Sequence, residues 1–302
     1  MYVNNANFSD ANPDVLYHFG MSTETHDFPQ LFGDVKFVCC GGSAKRMEKL
    51  ANMFLKELYP SSTTPAVNIC LSDRFVMYKV GPVVCVNHGM GMPSMSIMLH
   101  ELFKLLRHAK CTDVVLFRVG TSGGIDIPPG TVVVTEQAYN ALLEPVFTTE
   151  CIGKQVSYPT TLDPALSEDL LKVATAMKIP AVKGKTVGTN DFYEGQGRLD
   201  GALCCYTEKE KMAFLQKACS LGVKNFEMEA PAFAAMTNRA GVKAAVLCVT
   251  LLDRMHGDQV KSAVPVLKGY EEHPIRLVIG FIKQRLQKQT NGVNHDCMNG
   301  GC

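Results

Sequence analysis

Tryptophan is absent from these 302 residues, and so is any surplus of charge: 30 Lys and Arg stand against 29 Asp and Glu. Near-neutrality without a long basic run argues against a nucleic-acid or membrane-surface protein and leaves small-molecule chemistry open. No apolar run approaches the ~18 residues of a membrane-spanning helix, and the N-terminus shows no signal peptide. GxGxxG and GxxxxGK[ST] are missing, which removes the dinucleotide and P-loop fingerprints. HExxH, GxSxG and Cys/His metal spacing are missing too, so hydrolase and metalloenzyme chemistry has no positive support.

Cysteine is plentiful, at twelve, but no CxxC pair gives metal spacing. Cys39, Cys40, Cys85 and Cys248 lie inside apolar runs, where cysteine acts as a small hydrophobe, and the adjacent Cys204-Cys205 pair is poor geometry for a structural bridge. A reducing cytosol fits this usage, and a soluble cytoplasmic protein is expected.

With 46% hydrophobic residues the chain can bury a sizeable core. Residues 1–14 are polar and Asn-rich and are expected to form a mobile arm. Residues 289–302 are expected to be a disordered tail, leaving 15–288 as one folded domain. Val35–Cys40, Phe75–Val80, Val83–Val86, Val114–Val119, Thr131–Thr135, Lys183–Thr189, Phe226–Met228 and Ala244–Leu252 have the character of strands. Helices are expected over Ala44–Leu58, from Pro93 to about Arg107, from Asp163-Pro164 to about Lys178, over Pro231–Arg239 and from Pro274 to about Gln287. Alternation of strands and helices without repeats implies one α/β domain with helices on both faces of a sheet. Residues 137–160 are the hardest to assign.

Asp191-Phe-Tyr-Glu-Gly-Gln-Gly-Arg198 is the most distinctive stretch. Gln196 offers an acceptor and a donor on one planar group, and Arg198 offers a rigid fork of donors. In an extended segment, residues two apart point the same way. The pair then matches a heterocycle edge that presents acceptor, N–H donor, acceptor, as uracil does. Phe192 and Tyr193 supply a flat wall for such a base. Taken alone, the octapeptide is better read as a Gly-rich turn with a surface Gln and Arg.

Two further segments suit anions. Gly41-Gly42-Ser-Ala-Lys-Arg46 turns from a buried strand into a helix, which aims free N–H groups and the positive end of a helix dipole at one point. Arg118-Val-Gly-Thr121-Ser-Gly-Gly124 closes another buried strand with an arginine that needs a partner, either an anionic ligand or an internal carboxylate. Glu227-Met228-Glu229 stands between a strand and a helix. One of its carboxylates suits adjacent sugar hydroxyls, although acidic residues also favour a helix start. His18 and His88 are the histidines in suggestive settings.

Gly42…Arg46, Arg118-Val-Gly-Thr121, Phe192…Gln196-Gly-Arg198 and Glu227-Met-Glu229, in this order, resemble the uridine phosphorylases of the nucleoside phosphorylase-I family, most strongly those of animal type. The resemblance runs from about Leu16 to Leu286. It implies a single three-layer αβα domain around a central mixed β-sheet. Phosphate would be bound by Gly42, Arg46, Arg118 and Thr121, with Arg74 arriving from a neighbouring subunit. The ribose would be held by Met228 and Glu229, with the neighbour's His18 on its 5′-hydroxyl. Gln196 and Arg198 would bind uracil beside Phe192, and Arg254 would brace that pocket.

The implied reaction is reversible phosphorolysis of uridine to uracil and ribose 1-phosphate, with inorganic phosphate as co-substrate, no other cofactor and no metal. A homodimer with shared sites is implied as well. Three positions depart from the family pattern. Ala230-Pro231 follows Glu229 where Ser is common. Asp253 stands near the place where purine-cleaving relatives keep a base-protonating Asp. Arg74 is followed by Phe75, which removes the bacterial potassium site. The alternatives are a purine or methylthioadenosine phosphorylase of the same fold and a catalytically silent nucleoside-binding paralogue.

Overall fold

Short apolar and β-branched runs make the strands of this chain, and the amphipathic stretches between them make its helices. The computed structural model describes residues 3–10 and 12–298, with side chains as far as residue 288. In chain order the elements are β1 (Val15–Leu16), β2 (Met21–Ser22), α1 (Phe28–Phe32), β3 (Phe37–Gly41), α2 (Ala44–Leu58), β4 (Met77–Val80), β5 (Val83–Asn87), α3 (Met92–His108), β6 (Val115–Gly124) and β7 (Val132–Tyr139). They continue with β8 (Val146–Cys151), β9 (Lys154–Pro159), α4 (Pro164–Ala176), β10 (Ala181–Gly188), α5 (Glu208–Ser220), β11 (Val223–Glu227), α6 (Ala230–Arg239), β12 (Lys243–Asp253) and α7 (Val264–Met298).

Eight strands form one mixed sheet in the order β11-β10-β7-β12-β6-β3-β5-β4. The end of β6 also pairs antiparallel with β11, Gly124 opposite Asn225 and Gly123 opposite Phe226. That second pairing curls β11, β10, β7, β12 and β6 into a partly closed barrel. A buried chain of side chains stitches the curl: Thr135 to Thr186 at 2.7 Å, Thr186 to the Asn225 carbonyl at 2.7 Å, and the Asn225 amide to Ser122 at 2.9 Å. Every member of this chain is paired, which is what makes polar groups tolerable at that depth.

Helices cover both faces. α3 and α6 pack Leu99, Leu102, Phe233 and Met236 on one side. On the other, α2, α4 and α7 pack Leu50, Phe54, Leu170 and Ile282. The three-layer α/β arrangement expected of the chain is therefore present, with the sheet more curled than an open one. Cys39, Cys40, Cys85 and Cys248 are buried and free.

Three local expectations are corrected. Gly120–Gly124 is not a loop: β6 runs on through it, pairing Gly120 with Cys248 and Ser122 with Thr250 of β12. The last helix begins at Val264, ten residues before Pro274, which lies inside it. Proline lacks an N–H and opposes continuation of a helix. Here the turn before it is held from outside, since His273 donates to the Gly130 carbonyl at 2.7 Å. The octapeptide around Gln196 is the third case and belongs to the site. The stretch over 137–160 proves to contain a hairpin, β8 with β9.

Residues 1, 2 and 11 of the expected arm, and 299–302 of the expected tail, lie outside the described residues. Within the arm, Asp10 pairs with Arg107 at 2.6 Å and Asp14 with Lys104 at 2.5 Å. The backbone of α7 continues to Met298. Among the described residues no helix is long and apolar enough to cross a membrane.

Candidate active site

β3, β5, β6 and β12 run parallel to one another, and a cavity of about 450 Å³ opens at their carboxyl ends, where the end of β11, antiparallel to β6, meets them. Crevices at the carboxyl ends of strands are where α/β sheets take ligands, because the turns there carry free backbone groups. Of the twelve residues expected to form the site, ten line this one cavity: Gly42, Arg46, Arg118, Thr121, Phe192, Gln196, Arg198, Met228, Glu229 and Arg254. His18 and Arg74 do not.

At one end the cavity is cationic. Ser43 caps α2 by accepting from the Arg46 N–H at 3.4 Å, so the helix starts at the cavity wall with Arg46 in its first turn. Burial lowers the pKa of the Arg46 guanidinium. Arg118 is fully enclosed, and its Nη1 donates to the Cys248 sulfur at 2.9 Å. A Cβ on Gly120 would stand 2.5 Å from that Nη1, so the glycine is what gives the guanidinium room. Burial pushes the thiols of Cys40 and Cys248, beside this arginine, up to about 12.

The middle of the cavity is acidic. Arg118 Nη2 reaches Glu227 at 2.7 Å and also bonds Glu229. Glu227 accepts from the N–H groups of Glu229 and Ala230, both at 2.9 Å, which caps the start of α6. The Ala230-Pro231 departure costs nothing in this arrangement, since proline in a first turn removes only a donor that would be unpaired. Glu229 accepts from the Gly91 N–H at 2.6 Å. One guanidinium thus faces two buried carboxylates. Burial drives Glu227 up to about 7 against the pull of Arg118. Burial is the largest single influence on Glu229 and pushes its carboxyl up, but Arg118 together with its other neighbours, the Gly91 N–H among them, holds it below its ordinary value.

At the far end the octapeptide is not extended. Glu194–Gln196 makes a 3-10 turn, closed by Gly197 in the left-handed region at φ 65° and tied by the Gly195 N–H to Asp191 at 2.8 Å. A residue with a side chain would be strained at Gly197. The turn still presents both functional groups to the cavity, by a different route from strand alternation. Gln196 is buried, and Arg254 donates to its side-chain oxygen at 3.2 Å and to its backbone carbonyl at 2.7 Å.

Arg198 lies over the Phe192 ring at 4.3 Å and is held by Asp200 through two bonds of 2.8 and 2.6 Å. Arg254 is braced in turn by Asp258, which also takes Lys211 at 2.8 Å and the Leu199 N–H at 2.9 Å. Asp258 and Lys211, both buried, were missed in the sequence. Asp258 stands four residues after Arg254, a spacing that could have flagged it, whereas nothing nearby marks Lys211.

Asp253 is turned to other work, accepting from the N–H groups of Asp126 and Met255 and pairing with His256 at 3.1 Å. It is not among the residues that line the cavity. His18 bonds Glu101 at 2.6 Å, and its carbonyl accepts from Ser72 at 2.5 Å, while the same Ser72 oxygen accepts from the Arg74 N–H at 3.2 Å. The two residues missing from the cavity therefore share one surface patch, on which the Arg74 side chain is 71% exposed.

Residues 36–283 match the family model described as the phosphorylase superfamily. The chain is 51% identical over 289 residues to uridine phosphorylase 1 of Mus musculus, covering 94% of this chain and 92% of that one. It is 50% identical over 272 residues to the uridine and thymidine phosphorylase of Caenorhabditis elegans, covering 90% and 91%. It is also 38% identical over 283 residues to the inactive uridine phosphorylase B of Schistosoma mansoni, covering 93% and 95%. Among solved structures, uridine phosphorylase from Schistosoma mansoni in complex with uracil superposes with a TM-score of 0.88 at 40% identity, covering 93% of this chain and 98% of that one.

Proposed function

This chain belongs to the phosphorylase superfamily and, within it, to the animal-type uridine phosphorylases, and on that premise we propose which part of the cavity does what. The protein is a pentosyltransferase that moves the ribosyl group of uridine onto phosphate. We assign the phosphate to the end made by Gly42, Arg46, Arg118 and Thr121, the ribose to Met228 and Glu229, and the uracil to Gln196 and Arg198 beside Phe192. The observation that carries this is the convergence of ten separately placed residues on one 450 Å³ chamber with a cationic end, an acidic middle and an amide-guanidinium end.

In this arrangement a phosphate oxygen forms the new bond to C1′ while the C1′–N1 bond breaks, and that bond's electron pair moves into the uracil ring. Arg198 and Gln196 face the charge that develops there, so they bind the transition state more tightly than the substrate. Arg46 and Arg118 collect an anionic nucleophile that water would otherwise hold apart. No side chain has to act as a nucleophile. Asp253, engaged in its own turn, supports a pyrimidine over a purine leaving group.

His18 and Arg74 serve a neighbouring cavity rather than their own. Their shared surface patch supports a two-fold dimer, in which each protomer lends this pair to its partner's ribose and phosphate. Purified protein should release uracil from uridine only when phosphate is added. Binding of uridine with no phosphorolysis would instead give the silent reading, which the inactive Schistosoma mansoni relative keeps in view.

A further inference from the structure

His88 lines the cavity, and the assignments above leave it without a task. It follows β5 directly, and its backbone is pinned by a bond from its N–H to the Gly41 carbonyl at 3.0 Å and by Ser94 donating to its carbonyl at 2.5 Å. The ring lies against the phosphate loop: a Cβ on Gly42 would stand 3.7 Å from its Cε1. It is 1% exposed, and neither ring nitrogen has a hydrogen-bond partner among the described residues. Arg118 Nε, in the same wall, has none either. A buried polar atom left unpaired costs about 1–3 kcal/mol, so two such nitrogens on one ring point to a polar ligand atom.

The chemistry of the neighbours narrows what that atom is. Burial, aided by Arg118, lowers the imidazole to about 3, so it is neutral near pH 7. A neutral imidazole has one N–H and one bare nitrogen that accepts. Guanidinium groups and backbone N–H groups only donate. Monohydrogen phosphate has an O–H of its own, which a cradle of donors leaves unsatisfied. Glu229 is already taken by Arg118 and Gly91, and the Thr121 hydroxyl donates as readily as it accepts.

We propose that His88 is a phosphate-binding residue that accepts the single O–H of monohydrogen phosphate and thereby selects phosphate over sulfate, an anion of like size and charge with no proton to give. This rests on the assignment of phosphate to the Arg46–Arg118 end.

The test is anion binding to the full-length protein by calorimetry at pH 7.5, which needs no turnover. Phosphate, arsenate, sulfate and monofluorophosphate are the probes, the last two lacking an O–H at that pH. Wild-type protein should bind phosphate and arsenate alike, and sulfate and monofluorophosphate about ten-fold or more weakly. His88→Phe should weaken phosphate about ten-fold and leave sulfate unchanged, while His88→Gln, whose amide oxygen accepts, should restore most of the preference. Equal binding of all four anions by the wild type, or a parallel loss of phosphate and sulfate in His88→Phe, overturns the role of His88. The wild-type arm decides the matter even if the Phe variant does not fold. Arg46→Ala is the control for the underlying assignment. If it leaves phosphate binding untouched, the phosphate end itself is misplaced, whereas a loss of all anions in Arg46→Ala with no His88 selectivity removes His88 alone.

Discussion

Gln196 and Arg254 fix one another: the guanidinium donates to both the side-chain oxygen and the backbone carbonyl of the glutamine, at 3.2 and 2.7 Å. Because Arg254 only donates and the Glu227 carbonyl on the other side of the amide, at 3.4 Å, only accepts, the orientation of the amide is settled. Its oxygen keeps a second lone pair, and its nitrogen a second hydrogen, for a ligand. Asp258 locks Arg254 in turn. The end of the cavity proposed for the base is therefore set in advance, which would leave little reorganisation for the transition state.

Arg254→Lys keeps the charge and loses the fork. The expected result is a fall in kcat/KM for uridine of about 100-fold, the equivalent of one or two charged hydrogen bonds, with the KM for phosphate changed little. Steady-state kinetics in each substrate separates the two ends of the cavity.

Gln196→Leu tests the base contact itself. The uracil N–H and C=O groups would be buried against methyl groups without partners, which lowers kcat/KM for uridine by about 100-fold or more. Calorimetric binding of phosphate alone should be the same as in the wild type. If uridine turnover survives intact, the base lies elsewhere.

Among the described residues, Arg118 is the one cationic side chain that pairs with both buried carboxylates, Glu227 and Glu229. Arg118→Met should abolish turnover and destabilise the fold by about 3–5 kcal/mol, because uncompensated charge is left inside. Adding Glu227→Gln to that variant should return part of the loss, as read from urea denaturation.

Glu227 gives stability a pH dependence of definite sign. Its folded pKa of about 7 stands above its ordinary 4.5. Between those values the folded state holds a proton that the unfolded chain has released, so each rise in pH costs the folded state stability. Below 4.5 the term favours folding in full, and above 7 it is lost. Glu227→Gln lacks this term. Its Tm should therefore gain on the wild type as pH rises from about 4.5 to 7, and level off beyond. His88, lowered to about 3, has the opposite slope but is present in both proteins and cancels in the difference.

The strands were legible because buried runs such as Val83-Val-Cys-Val86 have no other use, and the chemistry of Arg118, Gln196 and Glu229 was legible because such groups need partners in an apolar setting. What the sequence could not show was depth and direction. Gly120–Gly124 has the composition of a loop, yet it is strand, and two of its glycines make space for arginine side chains: Gly120 for Arg118 of the same strand and Gly123 for Arg254, which arrives from far along the chain. Alternation brought Gln196 and Arg198 to one side for the wrong reason, as the segment is a 3-10 turn with a left-handed Gly197. Pro274 looked like a helix start because contacts from His273 to Gly130 have no local signature. Asp258 and Lys211 meet only after the barrel has curled, 47 positions apart in the chain.

His18 and Arg74 supply the remaining prediction, because they stand together outside the cavity of their own chain. If each protomer lends them to its partner, a protein with Arg74→Ala and a protein with Gln196→Leu are each impaired at every site. Refolded together, half of the dimers formed are mixed. In a mixed dimer the intact cavity of the Arg74→Ala chain receives a good Arg74 from the Gln196→Leu chain, while the other cavity lacks both. One site in two recovers, so the mixture should regain about a quarter of the wild-type activity. A site completed within one chain regains nothing on mixing, however the two variants are combined.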